Sequence, residues 1–158
     1  MIFLRKEKLF LADPYNEVHI KAISSFEKEN NLKEKTSKEL KKIKDSYLKK
    51  QYFGNRKNTN ELILDLFLEE DGVIRDSCHI YGEKDIKNCK ITFAPIQSPI
   101  RKRMIRLATD YALDILSMEE VFLTIEKKDK LIISYLELYG YENLGEEKGR
   151  LLFLKEKI

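Results

Sequence analysis

The chain has 158 residues, of which 42% are hydrophobic and 36% charged, and its 30 Lys and Arg nearly balance 27 Asp and Glu. This length fits one domain spanning residues 1–158, while a net charge of +3 argues against a globally cationic nucleic-acid binder. Two cysteines without a C-x-x-C pair, no apolar run of membrane-spanning length and no signal-peptide pattern predict a cytoplasmic protein without a metal site.

The N-terminal part is predicted to hold a short strand or hairpin followed by two helices. Apolar residues cluster at Ile2–Leu4 and Leu9–Leu11. Asp13-Pro14 has the cap-then-proline order of a helix start, and helical spacing continues to about Asn30. Thr36–Glu39 is a capping box, which predicts the start of a second helix.

Three consecutive strands are predicted next. Leu62–Leu68 is strongly apolar, Asp71-Gly72 is a hairpin-turn pair, and Val73–Tyr81 follows as the return strand. After the polar stretch Gly82–Asn88, Lys90–Ile96 is the third strand. Short connections of this kind favour antiparallel pairing.

The C-terminal part alternates between strands and helices. We predict a helix at Pro99–Leu116, a strand at Val121–Ile125, a helix at Lys130–Tyr139 that stops at Gly140, and two strands at 141–144 and 150–154. A strand, a long helix and another strand imply a parallel crossover. Together the elements predict a mixed α/β sheet.

The start of the helix at Pro99 carries an unusual cluster of positive charge. Ser98 occupies the predicted cap position, and Arg101, Lys102 and Arg103 follow directly after the first turn begins. Cations oppose the partial positive charge at a helix start. The cluster is therefore either a solvated surface or an anion site that uses the free N–H groups of this turn.

This order of elements resembles the GNAT N-acetyltransferase superfamily over nearly the whole chain, most sharply from Lys90 to Tyr141. Cys89–Pro95 followed by Gln97–Ala108 looks like the family's strand and phosphate loop. Ser134–Tyr141 looks like the family's closing phrase, a helix that ends in Gly before an aromatic residue. The resemblance implies a GNAT-like acyl-CoA N-acyltransferase fold with about four helices, and acetyl-CoA as cosubstrate.

The resemblance also implies a set of cofactor-binding residues. Backbone groups of Phe93, Ala94 and Ile96 are expected to bind the pantetheine. The turn that follows is expected to bind the pyrophosphate, through Gln97, Ser98, Ile100, Arg101, Lys102 and Arg103. Asp129 stands where the family often has an Asn that also contacts the cofactor.

The chain departs from the family pattern at both activity-linked motifs. Ile100 and Lys102 stand where the phosphate loop normally has small residues, and the family's proton-donating Tyr falls on Leu136. Tyr135, one position away, is the candidate donor, with a core position as the alternative. His79, on a strand facing the cleft of this kind of fold, is one candidate base and a water-linked Glu is the other, with a structural histidine as the alternative for His79.

The residues and the resemblance together favour one function over two others. We expect acetyl transfer to a primary amine on a small molecule or peptide, and the alternative is a catalytically silent GNAT-like binding module. Nucleic-acid binding through Lys38–Lys50 and Arg101–Arg106 is disfavoured by the near-neutral charge. Family members often pair through strands, so we expect any homodimer to use the apolar segment Leu151–Leu154 as a sheet edge.

Overall fold

The computed structural model describes residues 7–11, 17–32 and 61–157, which form a seven-stranded mixed sheet with helices on both faces. The strands are β1 (Glu7–Leu11), β2 (Glu61–Glu70), β3 (Val73–Glu83), β4 (Asn88–Phe93), β5 (Glu120–Glu126), β6 (Glu142–Glu147) and β7 (Arg150–Glu156). The helices are α1 (Glu17–Glu29), α2 (Arg101–Asp110) and α3 (Lys130–Tyr139), and α2 continues as a π-helical turn, Tyr111–Ile115. The predicted α/β class is confirmed.

The order across the sheet is β1-β2-β3-β4-β5-β7-β6. Among the strands that the structure describes, only β4 and β5 are paired in parallel, and α2 makes the crossover between them. The segment Leu151–Leu154 is not an edge, because β7 lies between β5 and β6. On this side of the sheet the outermost described strand is β6, whose residues are all exposed, so the expectation of an edge at Leu151–Leu154 was wrong.

The hairpin turn at Asp71-Gly72 and the helix end at Gly140 have the backbone conformations that their residue types predict. Asp71 and Gly72 both have positive φ, 52° and 84°, as a two-residue hairpin turn of the primed type requires. Gly140 ends α3 with a φ of 102°, a left-handed conformation that costs an L side chain about 1–2 kcal/mol. The predicted features at Ile2–Leu4, Asp13-Pro14, 36–50 and 54–60 lie outside the described residues.

The sheet buries apolar side chains on both faces. The larger core lies under α2 and α3 and includes the fully buried Leu64, Ile80, Leu123 and Phe153. A smaller core on the opposite face joins α1 to the sheet through Ile23, Phe26, Phe10, Phe67 and Ile74. Burial of each such side chain contributes about 1.5–3 kcal/mol to the stability of the fold. This free energy fixes which side chains of each strand face the core.

Within the described ranges, no helix combines the length and apolar character needed to cross a bilayer. The same residues contain no cluster of three or more His, Cys, Asp or Glu side chains arranged to hold a metal ion.

Candidate active site

The parallel strands β4 and β5 separate before they end. Their pairing runs from Asn88 opposite Glu120 to Ile91 opposite Leu123. Beyond that point β5 continues to Glu126, paired with β7 alone. A wedge-shaped gap therefore opens between the carboxyl ends of two neighbouring strands, a place where open α/β sheets commonly bind ligands.

The gap exposes one backbone donor on β4. The Ala94 N–H bonds the Ser77 carbonyl oxygen on β3 at 3.0 Å. Because N–H groups of successive strand residues point to opposite edges, the Phe93 N–H points toward β5. The β4–β5 ladder ends at Ile91 and Leu123, so the register of the described strands pairs Phe93 with no β5 residue.

The turn after β4 differs from the predicted helix start. The Ser98 Oγ accepts from the Ile100 N–H at 3.3 Å, and the Ser98 carbonyl accepts from the Arg101 N–H at 3.2 Å. The helix itself begins at Arg101, two residues after Pro99. The N–H groups of Lys102 and Arg103 have no recorded acceptor in the described part of the chain, as expected for a first helical turn.

Arg101, one of the predicted pyrophosphate ligands, faces inward, toward β3 and the end of β4. Its Nε and Nη2 donate to the two carboxylate oxygens of Asp76 at 2.8 and 3.2 Å, and Asp76 is fully buried. Nη2 also donates to the carbonyl oxygens of Ala94 and Ile96, at 2.8 and 3.3 Å. The guanidinium lies over the Phe93 ring, 5.1 Å from its centroid. Arg101 therefore holds the β4 end in place.

These bonds also affect two of the expected pantetheine contacts. Both the N–H and the carbonyl oxygen of Ala94 are engaged within the protein. The Ile96 N–H donates to the Ala94 carbonyl at 2.8 Å, and the Ile96 carbonyl accepts from Arg101. Of the three expected residues, Phe93 keeps the backbone N–H that faces the gap.

The other two cations of the cluster diverge. Arg103 forms an ion pair with Glu7 on β1. Lys102 is exposed, and its Nζ lies 6.0 Å from the centroid of the Tyr135 ring on α3. The first turn of α2 and Tyr135 are thus neighbours on the same face of the sheet, while Gln97 is exposed in the loop before them.

The α3 helix places Tyr135 at the surface side and Leu136 in the core. Leu136 is fully buried, so the position of the family's tyrosine is occupied by an apolar core side chain. Tyr135 is partly buried and stacks on Tyr139 with ring centroids 6.0 Å apart. The Tyr139 hydroxyl donates to Asp110, and burial, followed by this hydrogen bond, raises the pKa of Tyr139. Tyr139 is therefore structural.

His79 has a partner that the sequence analysis missed. Its Nδ1 lies 2.9 Å from an Asp65 oxygen on β2, and its side chain is 45% exposed against 10% for Asp65. His79 is paired across the sheet with Thr92, the first β4 residue beyond the β4–β5 ladder. The imidazole therefore lies one strand away from the gap. Asp65 interrupts an otherwise apolar strand, which was the available signal.

The two cysteines are unsuited to nucleophilic chemistry. Both are free and buried. Burial raises the pKa of Cys78, with a further contribution from Asp76, and burial raises the pKa of Cys89 to about 12. Since the thiolate is the reactive form, neither is poised to attack a substrate.

Asp129 occupies the cap position of α3, at the carboxyl end of β5. Its side chain forms no capping hydrogen bond, and its carbonyl oxygen accepts from the Ile133 N–H at 3.1 Å. Asp129 is exposed and lies in the loop that follows β5, one of the two strands that border the gap.

No protein-family model and no curated protein sequence matches the chain. Its structure is similar to that of the N-acetyltransferase PseH from Campylobacter jejuni in complex with acetyl coenzyme A, with a TM-score of 0.64 at 13% identity, over 97% of this chain and 100% of that one. A GNAT-family acetyltransferase from Streptococcus pneumoniae gives 0.63 at 12% identity, over 96% and 100%. The dodecameric spermidine N-acetyltransferase from Vibrio cholerae gives 0.61 at 12% identity, over 95% and 93%. The chain therefore has the fold of the GNAT N-acetyltransferases.

Proposed function

We propose that the protein is an N-acetyltransferase that moves an acetyl group from acetyl-CoA to a primary amine. The observation that carries this proposal is the gap between β4 and β5 beyond Ile91 and Leu123, with the Phe93 N–H directed into it. Similarity to a fold solved with acetyl coenzyme A supports the choice of cosubstrate. Two free cysteines are consistent with activity in the reducing cytoplasm.

The cofactor would use the gap and the first turn of α2. Its amide-containing arm would lie between the separated strands, where the Phe93 N–H is directed into the gap. Its diphosphate would face the N–H groups of Lys102 and Arg103, which combine unpaired donors with the positive end of the helix dipole. The exposed ammonium of Lys102 adds charge at this turn. Ile100, Gln97 and Asp129 remain predicted contacts.

The chemistry is a direct transfer with three residues in distinct roles. The amine nitrogen attacks the thioester carbonyl, a C–N bond forms, and the C–S bond breaks to release the thiol of CoA. The Phe93 N–H would stabilise the oxygen as negative charge develops on it. His79, held by Asp65, would accept the proton from the ammonium group. The Tyr135 phenol would protonate the departing thiolate.

Binding and turnover test the proposal in sequence. Calorimetry with acetyl-CoA should give saturable binding, and a thiol assay with a panel of primary amines should then detect release of CoA. The absence of binding at near-millimolar acetyl-CoA would overturn the proposal. Binding without transfer to any amine would instead identify the silent binding module.

A further inference from the structure

We propose that the acceptor amine carries an anionic group, such as a phosphate, and that a cationic pocket beside the transfer site binds this group. The inference rests on the proposed function and adds the chemical class of the acceptor. It starts from an open surface depression of about 580 Å³ at the carboxyl end of β5, whose lining residues are all exposed. The depression is lined by Glu126, Lys127, Lys128, Lys130, Lys148, Gly149 and Arg150.

The pocket is strongly biased toward positive charge. Five cations line it against the single carboxylate of Glu126. That carboxylate pairs with Lys128 at 3.2 Å and with Arg150 at 4.0 Å, and Lys127 pairs with Glu146 at 2.9 Å. Lys130 and Lys148 have no carboxylate partner among the described residues.

The pocket also lies at the start of α3. The Lys130 N–H donates to the Lys128 carbonyl at 3.0 Å, and the Ile133 N–H donates to Asp129. The N–H groups of Leu131 and Ile132 have no recorded acceptor in the described part of the chain. A cluster of ammonium side chains beside helix N–H groups that form no hydrogen bond within the described residues is complementary to a phosphate or carboxylate.

The pocket lies at the end of β5 and reaches from the start of α3, on the α2 side of the sheet, to Glu126 and Arg150. Ile91, Leu123 and Ile125 point into the core under α2 and α3, so the alternating residues Thr92 and Glu126 point to the opposite face. His79 shares that face through its pairing with Thr92. Because the diphosphate is assigned to the α2 side, the amine must approach from the face that carries the base.

The spacing fits one extended small molecule. Glu126 lies three residues beyond Leu123, where the β4–β5 pairing ends, which corresponds to about 10 Å along the strand. Arg150 is paired opposite Glu126 and therefore lies beside the stretch of β5 between the gap and the pocket. An acceptor with its amine at the gap would therefore place an anionic end among these lysines. A polycationic amine would meet repulsion there.

A matched acceptor series tests the pocket. We would compare aminohexyl phosphate, aminohexanol and hexamethylenediamine, which share one chain and differ in charge at the far end. The expected order of kcat/KM is phosphate, then hydroxyl, then ammonium, with at least about a tenfold advantage for phosphate over hydroxyl. Equal rates, or a preference for the diamine, would overturn the proposal.

Two variants and a control locate the effect. Lys148→Asn suits the site because Lys148 has a φ of 53°, which Asn tolerates, and Lys130→Glu places an acidic residue at a helix start, where it is tolerated. Each should lower kcat/KM for aminohexyl phosphate about tenfold and leave aminohexanol unchanged. Lys87→Asn is the control, since Lys87 has a φ of 51° and lies in the turn at the other end of β4. Equal losses for all three acceptors would contradict the assignment.

Two further measurements separate this proposal from the proposed function. Phosphorus NMR titration of aminohexyl phosphate without cofactor reports on the pocket even if acetyl-CoA fails to bind, and Lys148→Asn should weaken that binding about tenfold. Lys148→Asn should bind acetyl-CoA as tightly as the wild type does, and the same should hold for acetyl-dephospho-CoA. If the variant weakened only acetyl-CoA, the pocket would serve the cofactor's ribose phosphate, and the acceptor assignment would fall.

Discussion

The ion pair between Arg101 and Asp76 should stabilise the fold, and Arg101 should not bind the cofactor directly. Asp76 is fully buried and the Arg101 side chain is only 16% exposed. Replacing Arg101 with Met would leave a buried carboxylate without its counter-ion, which costs about 3–5 kcal/mol. For a chain of this length that loss corresponds to a fall in Tm of roughly 6–20 °C.

Urea unfolding of three variants measures this effect. Arg101→Met should lower the free energy of unfolding by about 3–5 kcal/mol, whereas Arg106→Met, which removes an exposed cation from the same helix, should change it by less than about 0.5 kcal/mol. The double variant Asp76→Leu with Arg101→Met should recover part of the loss, since no buried charge is then left unpaired.

One outcome would refute this reasoning. The free energy of unfolding of Arg101→Met could stay within about 1 kcal/mol of the wild-type value while its affinity for acetyl-CoA fell more than about tenfold. Arg101 would then be a direct ligand. Its bonds to Asp76, Ala94 and Ile96 would then be replaceable, and the explanation of how the β4 end is held would fail.

Three further predictions follow from the site and the core. His79→Gln should lower kcat by about 10²–10⁴-fold without changing acetyl-CoA affinity; an unchanged kcat in a stopped-flow assay would exclude His79 as the base. Tyr135→Phe should lower kcat with little effect on Tm, and a clear fall in Tm together with the fall in kcat would indicate a core role. Because the pKa of Cys89 is raised to about 12 from an ordinary 9.0, its contribution to stability is complete below about pH 9 and is lost as the pH rises toward 12. The urea midpoint should therefore fall between about pH 8 and pH 10 by less in Cys89→Ala than in the wild type, and identical falls would contradict this.

The fold was largely predictable because local signals agreed with the tertiary structure. The turn at Asp71-Gly72 and the stop at Gly140 appear at the predicted residues, and the strands and helices after Lys90 appear in the predicted order with bounds shifted by a few residues. Sheet order was harder to predict. Nothing in the apolar segment Leu151–Leu154 distinguishes an edge strand from a strand paired on both sides, since both bury one face.

The site was less predictable because it depends on contacts between distant residues. Arg101 and Asp76 are 25 positions apart, and no periodicity connects them. A cation at a helix start looks the same in sequence whether it faces an anion in solvent or a buried carboxylate. Asp65 left a weak signal as a charge within an apolar strand, but its contact with His79 depends on the register between β2 and β3.

The central claim is that the gap between β4 and β5 binds a thioester cofactor and exposes it to an amine. The most direct measurement is heteronuclear NMR of the wild type titrated with acetyl-CoA, following the backbone amide of Phe93. We predict a saturable shift of that amide, together with those of Lys102 and Arg103, while the Ala94 amide, bonded to Ser77, moves little. An unperturbed Phe93 amide at saturating acetyl-CoA would contradict the account.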